Sequence, residues 1–209
     1  MDDIEERNRK QMFVLNAMPS GWQEYADELK DAAEHLWQNK QYGIRVTLDM
    51  GLNGGTDLRQ NNTVSRTYVL LSGFAIENLL KGLMVAQEPS HIASGAISGE
   101  LKSHNLLYLA SKINGLMLSP EEKAICTIAQ DAIPYWGRYP VPLKFTDVHP
   151  ETAASEEYRS TFLSLHSKLG RLIHNRVRDG WDSGVGPNIF KSRSREFGDV
   201  MDPEESFFE

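Results

Sequence analysis

The chain has 209 residues and a formal charge of −7 at neutral pH, which excludes a surface that is basic throughout but not a local basic patch. Hydrophobic residues at 40% and charged residues at 24% place it in the globular class. A single cysteine, Cys126, excludes an internal disulfide, and nothing points to an oxidising compartment.

The opening MDDIEERNRK is charged and has no apolar core, so it does not read as a signal peptide. No apolar run reaches the roughly 18 residues that a membrane span needs. The expectation is a soluble, cytoplasmic protein. The first strong periodicity lies in SGWQEYADELKDAAEHLWQNK, where Trp22, Tyr25, Ala26, Leu29, Ala32, Ala33, Leu36 and Trp37 recur at three- and four-residue spacing. That pattern predicts an amphipathic helix. The Gly- and Asn-rich stretch 41–62 reads as a loop with a short extended piece. Its Gly51, Gly54 and Gly55 do not form a phosphate loop, because no Lys-Ser/Thr pair follows them.

A second helix is predicted over about 64–87. It is apolar on nearly every side, so it needs partners all round and belongs at the centre. EPSHIASGAISGE reads as a loop, and LKSHNLLYLASKINGLM as a third helix. A fourth opens on Ser119 as N-cap, with Pro120 in the first turn and Glu122 at the reciprocal capping-box position, and ends near Pro134. The prolines and aromatics of PYWGRYPVPLKF predict an ordered, irregular connection. A last helix spans about 152–178, with Tyr158, Phe162, Leu165, Leu169, Leu172, Ile173 and Val177 as its apolar stripe. From Glu196 onward there are six acids and no base, which predicts a flexible or docking tail. Together these give an all-α, up-and-down bundle of about five helices. Residues 1–63 pack on it as a helix and loop, 64–179 form its core, and 180–209 form the acidic tail.

Two features carry the candidate chemistry. Glu77 lies inside the most apolar segment, with Lys81 one turn on. A carboxylate there needs a partner or stays neutral, and Lys81, His104 and Arg138 are the candidate partners. The pair is either an internal lock on helix register or a polar site opening on a cleft. The second feature is the last helix, with five Lys or Arg and no acid over 158–178. At about 100° per residue, Arg171, His174 and Arg178 fall together below Ser167, while Arg159 and His166 flank the apolar stripe. This reads either as a solvated basic face with a core-edge His166, or as a phosphate-binding face with a histidine able to move protons. Trp136, Arg138 and Tyr139 would suit base stacking and phosphate contact, or simply close the bundle's end. Cys126 sits in an apolar helical pattern and reads as core. No zinc spacing, metalloprotease motif or serine-hydrolase elbow is present, so no metal or cofactor is expected.

AIENLLKGLM, KSHNLLYLA, GRYP and KLGRLIHNR, in that order, resemble the HEPN superfamily of small helical-bundle proteins, over about 64–178. Glu77 and Lys81 are similar to a polar pair found in many members. The resemblance implies an RNA-directed protein. Many members are metal-independent endoribonucleases of toxin or defence systems. They act as dimers whose arginines and histidines line a shared cleft, and some pair with a nucleotidyltransferase or an antitoxin. Others are non-catalytic binding modules. The family's signature is an arginine, four to six residues, then a histidine. Here Arg159 and His166 match it in the last helix, whereas Arg171 stands only three before His174, and Lys168 stands six before it. By resemblance, His174 or His166 would take the 2′-hydroxyl proton, and Arg171 or Arg159 would stabilise phosphate charge. Glu77 and Lys81 would orient these groups, and Lys168, Arg178 and Arg138 would contact RNA. A homodimer is implied as well, a reading that Trp22, Trp37, Trp136 and Tyr139 support if they do not all fit one core.

Overall fold

The computed structural model describes residues 2–49, 55–62, 64–138, 144, 146 and 153–183. Tyr139 and the acidic tail from 196 onward lie outside the described residues. The fold is an all-α bundle with a two-stranded appendage, and α3 (Ser65–Gln87) is its axis. Tyr68, Ile76, Leu79, Leu80, Leu83 and Met84 on α3 are each buried to within 1%. Such all-round burial requires neighbours on every side. These are α2 (Pro19–Gln38), the single turn α4 (Ser90–Ala93), α5 (Leu106–Ser111), α6 (Pro120–Asp131), a π-helical turn at Ala132–Trp136, and α7 (Glu156–Val177). α3 is long enough to cross a bilayer, but 72% of its most apolar window is buried against the chain's own core. Two glycines let neighbours approach its backbone. A Cβ at Gly82 would stand 3.0 Å from Trp22 and 3.1 Å from Ile173, and one at Gly73 would stand 3.1 Å from Ala129.

The capping box at α6 forms as the sequence predicts: Ser119 accepts from the Glu122 amide, and Glu122 accepts from the Ser119 amide. α7 begins later than its periodicity suggests. Its N-cap is Ser155, which accepts from the Tyr158 amide, and Glu156 and Glu157 then favour the positive end of the helix dipole.

Four expectations need correction. Seven helices are described rather than about five. α1 (Asp2–Asn16) is added in a stretch too charged to show an apolar period, and α4 forms inside the expected 88–100 loop. The expected third helix shrinks to α5, because a 3-10 turn at Glu100–Lys102 and the Asn105 N-cap precede it. The Gly/Asn-rich stretch is an antiparallel hairpin, β1 (Tyr42–Asp49) and β2 (Gly55–Asn62), with Tyr42 opposite Asn62 and Asp49 opposite Gly55. The first residues of the expected tail are not loose: Trp181 is 4% exposed and Ser183 1%.

Candidate functional site

The buried carboxylate has two partners. Lys81 Nζ donates to Glu77 Oε1 at 2.5 Å, one turn along α3. His104 Nδ1 lies 3.1 and 3.0 Å from the two carboxylate oxygens. The Glu77 and Lys81 side chains are 6% and 9% exposed, whereas that of His104 is 52% exposed. His104 is placed by its neighbours. Ser103 Oγ accepts the Asn105 amide, and Asn105 in turn caps α5 by accepting the Tyr108 amide. The residue between them is thereby held above α3. Lys81 offsets the carboxylate's charge and lowers the penalty of burying it. An ionised carboxylate only accepts, so Nδ1 carries the hydrogen and Nε2 is the second nitrogen of a half-exposed imidazole. This is a carboxylate–imidazole dyad, an arrangement able to take or give a proton at Nε2.

Arg138 follows the π turn and is exposed. The preceding Gly137 rests on Leu70, on the α3 stripe that runs through Phe74 to Glu77 and Lys81. The backbone at Gly137 thus lies against the stripe at Leu70, and His104 meets it at Glu77.

On α7 the predicted residues go separate ways. Arg159 grips Glu34 of α2 through Nε, 3.0 Å from each oxygen, and through a second nitrogen. Tyr68 donates its hydroxyl to the same carboxylate at 3.0 Å. Burial first, and then Glu34, hold the Tyr68 phenol well above its ordinary range, so that hydroxyl remains a donor. His166 is buried, with Nε2 3.4 Å from both the Ala26 carbonyl and Asp27 Oδ1. Burial, followed by the nearby Lys30 charge, brings its imidazole down to about 4, so it is neutral at pH 7. Lys168 binds both oxygens of Glu122, at 2.8 and 3.1 Å, and the Met117 carbonyl at 2.8 Å. Arg176 donates to the Leu83 and Asn114 carbonyls at 3.2 and 2.7 Å, where α3 needs acceptors satisfied near its C-terminus.

Of the three residues that share a helix face by angle, Arg171 and Arg178 are exposed while His174 is 6% exposed. Arg171 bonds Ser167 Oγ at 2.9 Å, and Arg178 reaches Asp179 at 3.4 Å. The structure thus brings together Glu77, Lys81 and His104. It leaves Arg159 and His166 engaged at points two turns apart on α2. Trp37 joins the core, and Trp22 packs against it with its indole donating to the Ala17 carbonyl. Both therefore fit one protomer.

Sequence reasoning missed Glu34 and the second role of Glu122. Glu34 adjoins the buried Ala33 and Trp37 on the inner side of α2, the same signal that singled out Glu77. Cys126 is buried, and its thiol is pushed up to about 12 by burial and then by Glu122, so it is unreactive at neutral pH.

The fold and site define an all-α bundle with a buried Glu–Lys pair and a half-exposed histidine above it. No protein-family model, curated protein or solved structure matches the chain.

Proposed function

We propose that this chain is a HEPN-like helical association module, acting through contacts with other macromolecules rather than through catalysis on its last helix. One observation carries the reading: Arg159, Lys168 and Arg176 are each engaged with an acceptor elsewhere in the same chain. A phosphate arriving at Arg159, Lys168 or Arg176 would have to displace those acceptors, and His166, titrating near 4, is a weak base at neutral pH. The test is incubation with a fluorescent RNA in chelator. The module reading expects no cleavage by wild type beyond the level seen with His174→Ala and His166→Ala. Cleavage abolished by either substitution would sink it.

A second reading has its own support. The Glu77–His104 dyad has the form of a general base. An RNA-directed protein, a metal-independent endoribonuclease included, would then work through His104 rather than α7. In the same assay, cleavage that is lost in His104→Ala and retained in His174→Ala and His166→Ala selects this reading.

A further inference from the structure

α1 and α2 meet at a sharp corner. Gly21 makes it possible, because a Cβ there would stand 2.5 Å from the Asn16 carbonyl oxygen. The corner encloses an open cleft of about 400 Å³, lined among others by Leu15, Met18, Tyr25 and the carboxylates Glu24 and Glu28. Leu15 is 44% exposed and Tyr25 53%, and Met12 and Ile4 on α1 are 55% and 66% exposed. Ile4, Met12 and Leu15 lie on one side of α1, so the apolar strip leads from that helix into the cleft. Large apolar side chains gathered beside a concavity mark an interaction surface more than singly scattered ones do. Glu24 and Glu28 stand one turn apart beside Tyr25, are exposed, and have no ion-pair partner among the described residues.

We propose that this cleft docks a basic amphipathic helix of a partner protein. Its apolar anchors would fill the space between Leu15 and Tyr25, and Lys or Arg side chains one turn apart would meet Glu24 and Glu28. Charge selects this occupant. The chain's own segment 196–209 has six acids and no base, so the two carboxylates repel it. A second copy pairing symmetrically over the cleft would bring two sets of the same carboxylates together, which is also repulsive. A helix with apolar anchors at three- and four-residue spacing suits a groove of this form. The inference rests on the association-module reading. Cleavage of RNA would sink that reading and leave the measurement below untouched.

The probe is a labelled 16-residue helical peptide with a leucine stripe flanked by lysines, measured by fluorescence anisotropy against the full chain. Its counterpart carries glutamate at every lysine position. Wild type is expected to bind the lysine peptide at least tenfold more tightly than the glutamate peptide. Glu24→Lys/Glu28→Lys should reverse that preference. Leu15→Ser/Tyr25→Ser should weaken the lysine peptide at least tenfold with an unchanged circular-dichroism melt. Glu157→Lys/Asp179→Lys makes the same change in net charge elsewhere and should leave the preference intact. The proposal is overturned if the first charge swap does not reverse the preference, or if the second swap reverses it equally. It is also overturned if deleting 196–209 raises peptide affinity tenfold, which would make the tail the occupant. A doubled mass in light scattering that Leu15→Ser/Tyr25→Ser returns to 23.6 kDa would instead make the occupant a second copy.

Discussion

The α3–α7 interior and the α1–α2 corner invert each other. In the interior, residues whose chemistry favours water are turned inward: Glu77, Lys81, His166 and His174 are each at most 7% exposed. At the corner, residues whose chemistry favours a core are turned outward, with Leu15, Met12 and Tyr25 about half exposed. Residue type sets the free energy of each environment, but a side chain's destination depends on which partners the neighbouring elements bring. α7 lies between α2 and α6, which supply Glu34 and Glu122, so Arg159 and Lys168 close onto them. Among the described residues no further helix covers the outer side of α1, where Ile4, Met12 and Leu15 stay exposed.

The largest test of that contrast is Glu77→Ala. It removes the carboxylate and leaves Lys81 buried without its counter-charge, which typically costs about 3–5 kcal/mol. A denaturation midpoint that does not move would mean that the interior charge is not held by pairing. The next test is acid. The folded-state value of His166, about 4, lies below its ordinary 6.5, so the unfolded chain binds the extra proton first. Its contribution is complete above pH 6.5 and is lost as the pH falls toward 4. The loss is about 3 kcal/mol, with the Ala26 carbonyl and the Asp31 charge already opposing the burial effect within that value. His166→Gln should flatten the stability–pH profile across that window, and a profile identical to wild type would refute the burial argument.

A smaller effect is expected at Lys168, whose side chain is one-third exposed. Lys168→Ala should destabilise the chain by about 1 kcal/mol. Arg171→Ala, one turn further along and bonded among the described residues to Ser167, should stay within about 0.5 kcal/mol. Equal losses at the two positions would dissolve the distinction between engaged and exposed cations. The smallest shift is expected at the corner, where Leu15→Ser should also stay within about 0.5 kcal/mol. A loss of the about 2–5 kcal/mol usual for truncating a core leucine would show that the corner is covered in solution.

The fold was legible wherever the sequence pattern repeats over several turns or where a local motif closes on itself. The apolar run of α3, the stripe of α7 and the Ser119–Glu122 box are of this kind. The hairpin was half legible. Ile44, Val46 and Leu48 alternate with Arg45, Thr47 and Asp49, the period of a strand, but β2 has a single apolar residue, Leu58, and so hides the pairing. α1 offered a lone Ile4 in a charged stretch and then four consecutive apolar residues, Met12 to Leu15, and so gave no clear apolar period to read.

At the candidate site, the sequence by itself determined that Glu77 must find a partner or stay neutral, because burying a lone charged carboxylate in that apolar run costs several kcal/mol, and it placed Lys81 within reach by helical spacing. His104, 27 residues away, joined them only through the tertiary fold, because the bend before α5 decides where that imidazole lands. The same holds for α7. The sequence determined that its cations cluster along one helix. Only the packing of α2 and α6 decided that Arg159 and Lys168 meet carboxylates and that His166 loses its charge, because the net field at a side chain belongs to all the elements around it and not to its own helix.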